Sequence, residues 1–299
     1  MKRTILFLAS AVALSAQIEG PRLGLLVDGA QVQTAWGIPG VAVHTPWREV
    51  SAKLIAASPK QDYVLGVPAE GPGLLVMGAN GKEDGDRLVL SDVTGIEAIA
   101  FSPEGSAVAI RRGARVDVVT GLPSRAEITQ TFDLSFAPDE AARISISDDG
   151  STVLALVSSG AYLLDANGMT RMAIDGVSAA AFLPKTRDVV ATTQDKVTLL
   201  RFAQEAKEFA IEGLTAKRVA ATSRYAVASD RDFVVVNLAS GEVTRLSPDA
   251  EPRAVQSAGD VIFFLTDDGW SAVDLTDSAP RLVRIPKRYV PETETGVAQ

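Results

Sequence analysis

Basic side chains stand at a repeated position in this 299-residue chain, four or five residues before a recurring turn. If the strands that lead into these turns surround a common channel, the side chains lie together at one mouth of it. A ring of arginine and lysine in a narrow funnel focuses positive potential and holds a carboxylate or phosphate group. The candidate ligand-binding residues at this position are Lys53, Glu97, Arg143, Lys217, Arg218 and Arg253.

The same pattern has a plainer interpretation. Charged residues often begin strands simply because they are solvated there, and acidic residues stand close by at Glu49, Glu140 and Glu251. Under this interpretation the basic side chains pair with those carboxylates and hold no ligand.

Other catalytic and metal-binding chemistry has little support in the sequence. His44 is the only histidine and there is no cysteine, which excludes zinc sites built on several imidazoles or thiolates. No G-x-S-x-G motif is present to supply a nucleophile elbow. We therefore assign no catalytic residue, no metal ligand and no cofactor, and we interpret His44 as a loop or packing residue.

Three acidic segments resemble metal loops only in part. The segment 80–86 has Lys82 where a calcium loop needs a carboxylate, and it lacks the closing glutamate of an EF-hand. Asp148-Asp149-Gly150 and Asp267-Asp268-Gly269 have the composition of tight turns. We interpret all three as turns or solvated loops.

The recurring turn indicates the fold. The turns follow Ser58, Ser102, Ser147, Leu183, Thr222 and Ser257, at separations of 44, 45, 36, 39 and 35 residues. A four-stranded β-propeller blade takes about 40–50 residues. Further hairpin motifs, such as Asn167-Gly168 and Ser240-Gly241 between apolar runs, supply the remaining strands of each period.

The sequence predicts a single all-β propeller of four-stranded blades, with six or seven blades. The hairpin of residues 23–36 precedes the first full period, and N-terminal strands of this kind close the last blade of many propellers. Spacing alone leaves open whether they complete a sixth blade or form a seventh. The segment 201–214 fits an amphipathic helix as well as a strand, and its place in the period favours an outer strand.

The two ends of the chain differ from the repeat. Residues 1–16 combine Lys2-Arg3, a short apolar run and a small-residue exit, which are the parts of a secretory signal. An uncleaved membrane anchor is the alternative. The predicted organisation is a signal peptide at 1–16, a propeller at 17–290 and a flexible tail at 291–299. These boundaries predict an exported protein, periplasmic or secreted, with no transmembrane segment once the signal is removed.

Charge and composition limit the partners. Without residues 1–16 the chain has 27 basic and 37 acidic residues, and only 6% of the whole chain is aromatic. An acidic surface poor in aromatic residues suits neither phosphate backbones nor base stacking. We expect no nucleic-acid binding, a protein partner and a monomeric state.

The repeat, with Ala100-Phe101-Ser102-Pro103-Glu104-Gly105 as its clearest copy, resembles that of bacterial exported propellers, which include WD-repeat-like, TolB-like and lactonase-type or quinoprotein-like families. The resemblance covers residues 53–285 and implies the fold without selecting one family. The Trp-Asp signature of true WD repeats is absent, and the metal-binding set of the lactonases has no identifiable counterpart. No site residue is therefore carried over.

Two functions remain open. The first is an exported, non-enzymatic propeller that serves as a protein-binding or scaffold module of the periplasm or cell envelope, since the fold alone implies no reaction. The second is a propeller that binds or hydrolyses a small anionic or sugar-derived molecule at the channel mouth. The lack of a recurrent carboxylate or histidine set favours the binding protein over an enzyme.

Overall fold

A computed structural model shows an all-β protein built of seven sheets. The structure describes residues 21–38, 41–59, 63–78, 86–137, 142–202, 204–214, 216–277 and 279–288, and none of these lies in a helix. The predicted signal peptide and C-terminal tail, and almost all of the segment 80–86, lie outside the described residues.

Six of the sheets are four-stranded antiparallel blades and one has three strands. The first blade contains β1 (Arg22–Asp28), β2 (Gln31–Ile38) and β3 (Val41–Glu49). The second to fourth blades contain β4 (Ala52–Ala57), β5 (Val64–Pro68), β6 (Leu74–Met77), β7 (Arg87–Leu90), β8 (Ala98–Phe101), β9 (Ala107–Arg112), β10 (Arg115–Thr120), β11 (Glu127–Asp133), β12 (Arg143–Ile146), β13 (Val153–Val157), β14 (Gly160–Asp165) and β15 (Gly168–Arg171). The fifth to seventh blades contain β16 (Ala179–Phe182), β17 (Val189–Thr192), β18 (Lys196–Leu200), β19 (Lys207–Ala210), β20 (Arg218–Ala221), β21 (Tyr225–Ser229), β22 (Phe233–Asn237), β23 (Val243–Leu246), β24 (Ala254–Ala258), β25 (Val261–Thr266), β26 (Gly269–Asp274) and β27 (Arg281–Arg284).

In the second to seventh blades, burial is highest in the second strand and lowest in the outer strand. The second strand of the fourth blade, β13, is buried at every position, whereas its outer strand, β15, is exposed at every position. A strand covered on both faces is a continuous apolar run, and a strand at the rim tolerates charge. The cores therefore lie between neighbouring blades, as in the contact of Phe233 with Phe264 at 4.4 Å between ring centroids.

The recurring serine or threonine has a structural role in its turn. The buried hydroxyls of Ser102, Ser147 and Thr222 each accept a backbone N–H from the residue that leads into the next strand, at 3.1 Å. Gly105 and Gly150 close two of these turns with positive φ values of 75° and 70°. Positive φ carries no steric cost for glycine, so the turn motif recognised in the sequence is a local structural unit.

Asp148 connects the turns of three successive blades. Its carboxylate accepts the backbone N–H of Glu104 at 2.7 Å and that of Lys185 at 2.6 Å. The neighbouring Asp149 accepts from Ser147 at 2.7 Å and from Arg187 at 2.9 Å. The interpretation of Asp148-Asp149-Gly150 as a turn is confirmed, because the hydrogen bonds of both carboxylates go to the turns themselves.

The ring closes at the first blade. The N-terminal strands form a blade of their own, which brings the number of blades to seven. They do not complete the last blade, since the sheet from β24 to β27 already has four strands. The C-terminal segment then crosses to β3, where the His44 N–H donates to Pro286 at 3.0 Å and Arg288 donates to the His44 carbonyl at 2.9 Å. His44 and Lys287 form a parallel bridge there, so both ends of the chain meet in one blade.

Strand β1 runs in the opposite direction to its neighbour β24. Asp28, at the end of β1, lies 3.3 Å from Arg253, which precedes β24, while the Val27 N–H donates to Gln256 further along β24 at 2.9 Å. The two strands are therefore antiparallel. The Gln256 amide occupies a position where a backbone N–H would otherwise lack a partner.

Two further sequence predictions are resolved by the strands. The segment 201–214 contains the outer strand β19, preceded by a turn in which Gln204 donates to Arg201 at 3.2 Å, so the strand interpretation is confirmed. His44 lies in strand β3 and is 8% exposed. Of the two alternatives for this histidine, a loop or a packing residue, the structure supports packing, because the C-terminal segment covers β3 and buries the ring.

His44 should make ring closure sensitive to acid. Burial and, secondarily, the charge of Lys287 lower the pKa of the His44 imidazole below its usual value. The folded state thus favours the neutral ring, and this contribution is complete above the unfolded pKa of about 6.5 and is lost as the pH falls below it. We expect His44→Leu to reduce the decline in unfolding free energy between about pH 7 and pH 5.

The measurement is urea unfolding of both proteins across this pH range. Aspartate and glutamate side chains titrate mainly below it, so they contribute little to the difference between the two proteins. If the unfolding free energy of the wild type and that of His44→Leu changed with pH to the same extent, His44 would not be the source of the acid sensitivity.

Candidate ligand site at the channel mouth

The inner strands surround a central channel with a distinct composition. Two cavities, of about 420 and 410 Å³, share Ile99, Ser145, Val219, Ala220, Val255 and Ser257 in their walls and are therefore parts of one channel. The first cavity lies where β8, β12 and β20 begin, and we call this end the channel mouth. The second lies where the inner strands end, and its wall includes Phe101 and Phe182.

Three of the predicted ligand-binding residues, Glu97, Lys217 and Arg253, lie in ion pairs. Glu97 lies 3.1 Å from Arg111. Lys217 lies 2.7 Å from Asp230 and 3.6 Å from Glu251. The pairing with Glu251 follows the plainer interpretation of the sequence, whereas Glu140 and the Glu49 side chain lie outside the described residues.

Arg253 is also paired, with a partner from the far end of the sequence. Its guanidinium lies 3.3 Å from Asp28 and 3.9 Å from Asp267. The contact with Asp28 joins the seventh blade to the first. Arg253 therefore has a role in ring closure that its sequence position did not indicate.

Lys53 is exposed and stands at an irregularity in the second blade. The pairing register of β4 with β5 shifts between Ala52 and Leu54, which makes Lys53 the extra residue. Such bulges change the direction of a side chain. The residue is absent from the described walls of both cavities.

Arg143 and Arg218 are the two predicted residues that line the channel. Arg143 donates from Nη1 to the Lys217 carbonyl at 2.6 Å and from Nη2 to the Ser178 carbonyl. Arg218 donates to the carbonyls of Pro252 at 2.9 Å and Arg253 at 3.1 Å. Each guanidinium thus bridges from its own blade to the beginning of a later one.

These two arginines form no ion pair with any carboxylate that the structure describes. Desolvation by burial, and then the charge of Arg218, lower the pKa of the Arg143 guanidinium. Arginine remains protonated in proteins despite such shifts. The mouth therefore holds two like charges whose mutual repulsion an anion would relieve.

The contacts around these arginines were not accessible to sequence reasoning. Ser178, Lys217 and Pro252 contribute backbone carbonyls, and no sequence motif marks a carbonyl acceptor. The channel hydroxyl of Ser145 occupies a strand position that the repeat did not distinguish from apolar ones, and Ser257 was recognised only as the residue before a turn.

The described residues contain neither a candidate metal cluster nor a membrane-spanning helix. They contain no group of three or more histidine, cysteine or acidic side chains placed to hold a metal ion. No helix within them is long and apolar enough to cross a membrane.

Comparison with known proteins supports the fold. No protein-family model matches the chain, and no curated protein matches it. Among solved structures, PorZ, an essential bacterial surface component of the type-IX secretion system of Porphyromonas gingivalis, aligns with a TM-score of 0.59 and 12% identity. The alignment covers 91% of this chain and 38% of PorZ, so this chain spans well under half of that protein.

A second propeller is similar over most of its own length. Apo AztD from Citrobacter koseri aligns with a TM-score of 0.53 and 11% identity, covering 89% of this chain and 82% of AztD. At these identities the similarity establishes a shared β-propeller architecture and assigns no activity.

Proposed function

We propose that this chain is an exported, non-enzymatic β-propeller that acts as a monomeric protein-binding module in the periplasm or cell envelope. The observation that carries the proposal is the length of the outer strand β3, whose described pairing on its outer side is limited to the C-terminal segment at His44. This strand has nine residues, whereas five of the six other outer strands have four. Short edge strands protect a sheet against pairing with another chain, and a long one invites it.

Apolar side chains flank this edge. Ile38 is 58% exposed and Val41 is 77% exposed, at adjoining ends of β2 and β3. Among the described residues, the bridge with Lys287 is the one strand pairing on the outer side of β3. Exposed apolar groups beside a free strand edge fit a partner that adds a strand of its own.

Pro46 limits how far the C-terminal segment can cover β3. The outward N–H of His44 is bonded to Pro286, and the equivalent position two residues later in β3 is a proline, which has no N–H to donate. A partner strand meets the same missing donor at Pro46, so the pairing proposed for it lies on the other side of His44, next to Ile38 and Val41. PorZ, a surface component of a secretion system with the same architecture, is a precedent for an envelope role.

The test is affinity capture from an envelope extract of the source cell, followed by binding measurements with the purified partner. We expect a stoichiometric partner whose affinity falls at least about tenfold with Ile38→Asp, Val41→Asp, because a buried charge would replace apolar contact. Val243→Asp is the matched control, since Val243 is 40% exposed on the outer strand β23.

Two outcomes would contradict this proposal. One is the absence of any stoichiometric partner. The other is a partner that survives the β3 substitutions and is lost with Arg143→Glu, Arg253→Glu, because that pattern would place the interface at the channel mouth.

A second candidate function is small-molecule binding at the channel mouth. The uncompensated charges of Arg143 and Arg218 favour it, and it does not depend on a partner at β3.

A further inference from the structure

The channel has a polarity along its length. Its two charged wall residues, Arg143 and Arg218, lie at the mouth, within the part of the wall that the structure describes. Below them the wall consists mainly of small or branched apolar side chains, with the hydroxyls of Ser145 and Ser257 midway. Bulkier side chains line the far end, where Phe101, Pro103 and Phe182 contribute.

The guanidiniums at the mouth are held in place and still have donors to offer. A guanidinium carries five N–H groups, and the two carbonyl bonds made by each arginine leave three on each. Because these side chains are already fixed by neighbouring blades, an anion would bind without the entropic cost of ordering them.

The other predicted mouth residues do not compete for the same ligand. Glu97, Lys217 and Arg253 each have an opposite charge within 4.0 Å, and Lys53 is absent from the described channel wall. The positive charge that faces the channel is thus concentrated on Arg143 and Arg218.

We propose that the channel binds a single-chain anionic amphiphile of the fatty-acid class. Its carboxylate lies between Arg143 and Arg218, and its apolar tail extends along Ile99, Val219 and Val255. Two planar guanidiniums suit a carboxylate because each presents parallel N–H donors. An apolar wall of this extent, with charges at one end, matches a ligand that has the same distribution.

The size of the channel agrees with this ligand class. Small-molecule sites typically enclose about 300–1,000 Å³ and combine apolar walls with a few polar groups that fix orientation. Each of the two connected cavities, at about 420 and 410 Å³, falls in that range. The tail removes apolar wall from water, and this burial contributes affinity in proportion to the area covered.

The test is calorimetric titration of the purified protein with dodecanoate below its micelle concentration. Acetate supplies the same headgroup without a tail, and dodecan-1-ol supplies the same tail without a charge. We expect saturable binding of one dodecanoate per chain, with both comparison ligands at least about tenfold weaker.

The arginines are tested by a double variant and a matched control. Arg143→Gln, Arg218→Gln should weaken dodecanoate binding at least about tenfold. Arg231→Gln makes the same change at an exposed arginine that lines neither cavity, and we expect it to bind as the wild type does.

A substitution in the wall keeps the proposal testable if the arginine variant does not fold. Ala180 is half-buried and lines the channel, so Ala180→Leu fills space that the tail needs. We expect dodecanoate affinity to fall about tenfold while the binding of acetate, which has no tail, is little affected.

The proposal is overturned if acetate binds as tightly as dodecanoate, which would show an adventitious ion only. It is equally overturned if dodecan-1-ol matches dodecanoate, if Arg231→Gln has the same effect as the double variant, or if Ala180→Leu leaves dodecanoate affinity unchanged. None of these results bears on the partner proposed for β3, because the channel and that edge are tested by separate variants.

Discussion

Trp270→Ala should lower the free energy of unfolding by about 3–5 kcal/mol, the usual cost of removing a large buried aromatic side chain. Trp270 is 2% exposed and belongs to the cluster that joins the seventh blade to the first. It packs there with Leu26, Ala42 and Ile285, which come from β1, β3 and the C-terminal segment. The loss includes both the transferred apolar area and the cavity that remains.

The position of this cluster makes the effect local as well as global. Ile285 also donates its N–H to the Trp270 carbonyl at 3.0 Å, so the tryptophan contacts the segment that closes the ring. Hydrogen exchange should therefore accelerate most in β1–β3 and in residues 285–288, because a weakened contact opens sub-globally before the whole ring unfolds.

Urea unfolding measures the free energy of unfolding of Trp270→Ala, and Trp36→Ala is the matched control. Trp36 is half-buried on β2, and its indole donates to Thr45 at 3.1 Å without joining a core cluster. We expect it to cost about 1 kcal/mol, as a partly exposed contact does. Equal losses for the two tryptophans would contradict the special role of the closing cluster.

Asp117→Ala should lower the free energy of unfolding by about 3 kcal/mol, because it removes the only carboxylate of a buried polar network. Asp117 lies on β10 and is fully buried. It accepts from Arg112 at 2.7 Å, from Arg115 at 2.8 Å and from Thr131 at 2.8 Å. Removal takes this acceptor away from all three donors and opens a cavity in the third blade.

The same network predicts how the difference in unfolding free energy between the wild type and Asp117→Ala depends on pH. Burial by itself raises the pKa of Asp117, but hydrogen bonds from Thr131, Arg112 and Arg115 outweigh it and hold the pKa below its usual value. A carboxyl with a depressed folded pKa stabilises the protein fully above its unfolded pKa of about 3.9 and loses that contribution as the pH falls further. The difference in unfolding free energy between the wild type and Asp117→Ala should thus become smaller below about pH 4.

Urea unfolding at neutral pH and at acidic pH measures both effects. Asp117→Asn is the control, because it keeps the volume and one acceptor oxygen, and it should cost less than Asp117→Ala at neutral pH. If the alanine variant were as stable as the wild type at neutral pH, the network would have no net stabilising role. If the difference in unfolding free energy became larger in acid, the pKa of Asp117 would be raised in the folded state instead of lowered.

The sequence by itself determined the blade as a unit. Apolar runs such as Val153–Val157 and turns such as Ser147–Gly150 are local, since strand alternation and turn geometry depend on residues within a few positions of one another. The hydroxyl of Ser147 bonds five residues ahead in the chain. Repetition of such local units was enough to predict a propeller of four-stranded blades.

Only the tertiary structure decided the number of blades and the way in which the ring closes. The Arg253–Asp28 contact joins residues 225 positions apart, and no spacing in the chain encodes it. The N-terminal strands form a separate blade, the first in chain order, because the sheet from β24 to β27 is already complete and because the C-terminal segment pairs with β3.

The candidate site divides in the same way. The recurrence of basic residues at strand beginnings was visible in the sequence, because the inner strands of the second to seventh blades start at the same end of the channel. Which of them face the channel was not, because it depends on contacts between blades, such as that of Arg143 with the Lys217 carbonyl 74 residues away. Asp230 of the same blade and Glu251 before the next blade neutralise Lys217, and Asp28 of the first blade neutralises Arg253. Arg143 and Arg218 are left without a described carboxylate partner, so the folded ring selected two arginines from a pattern of six residues.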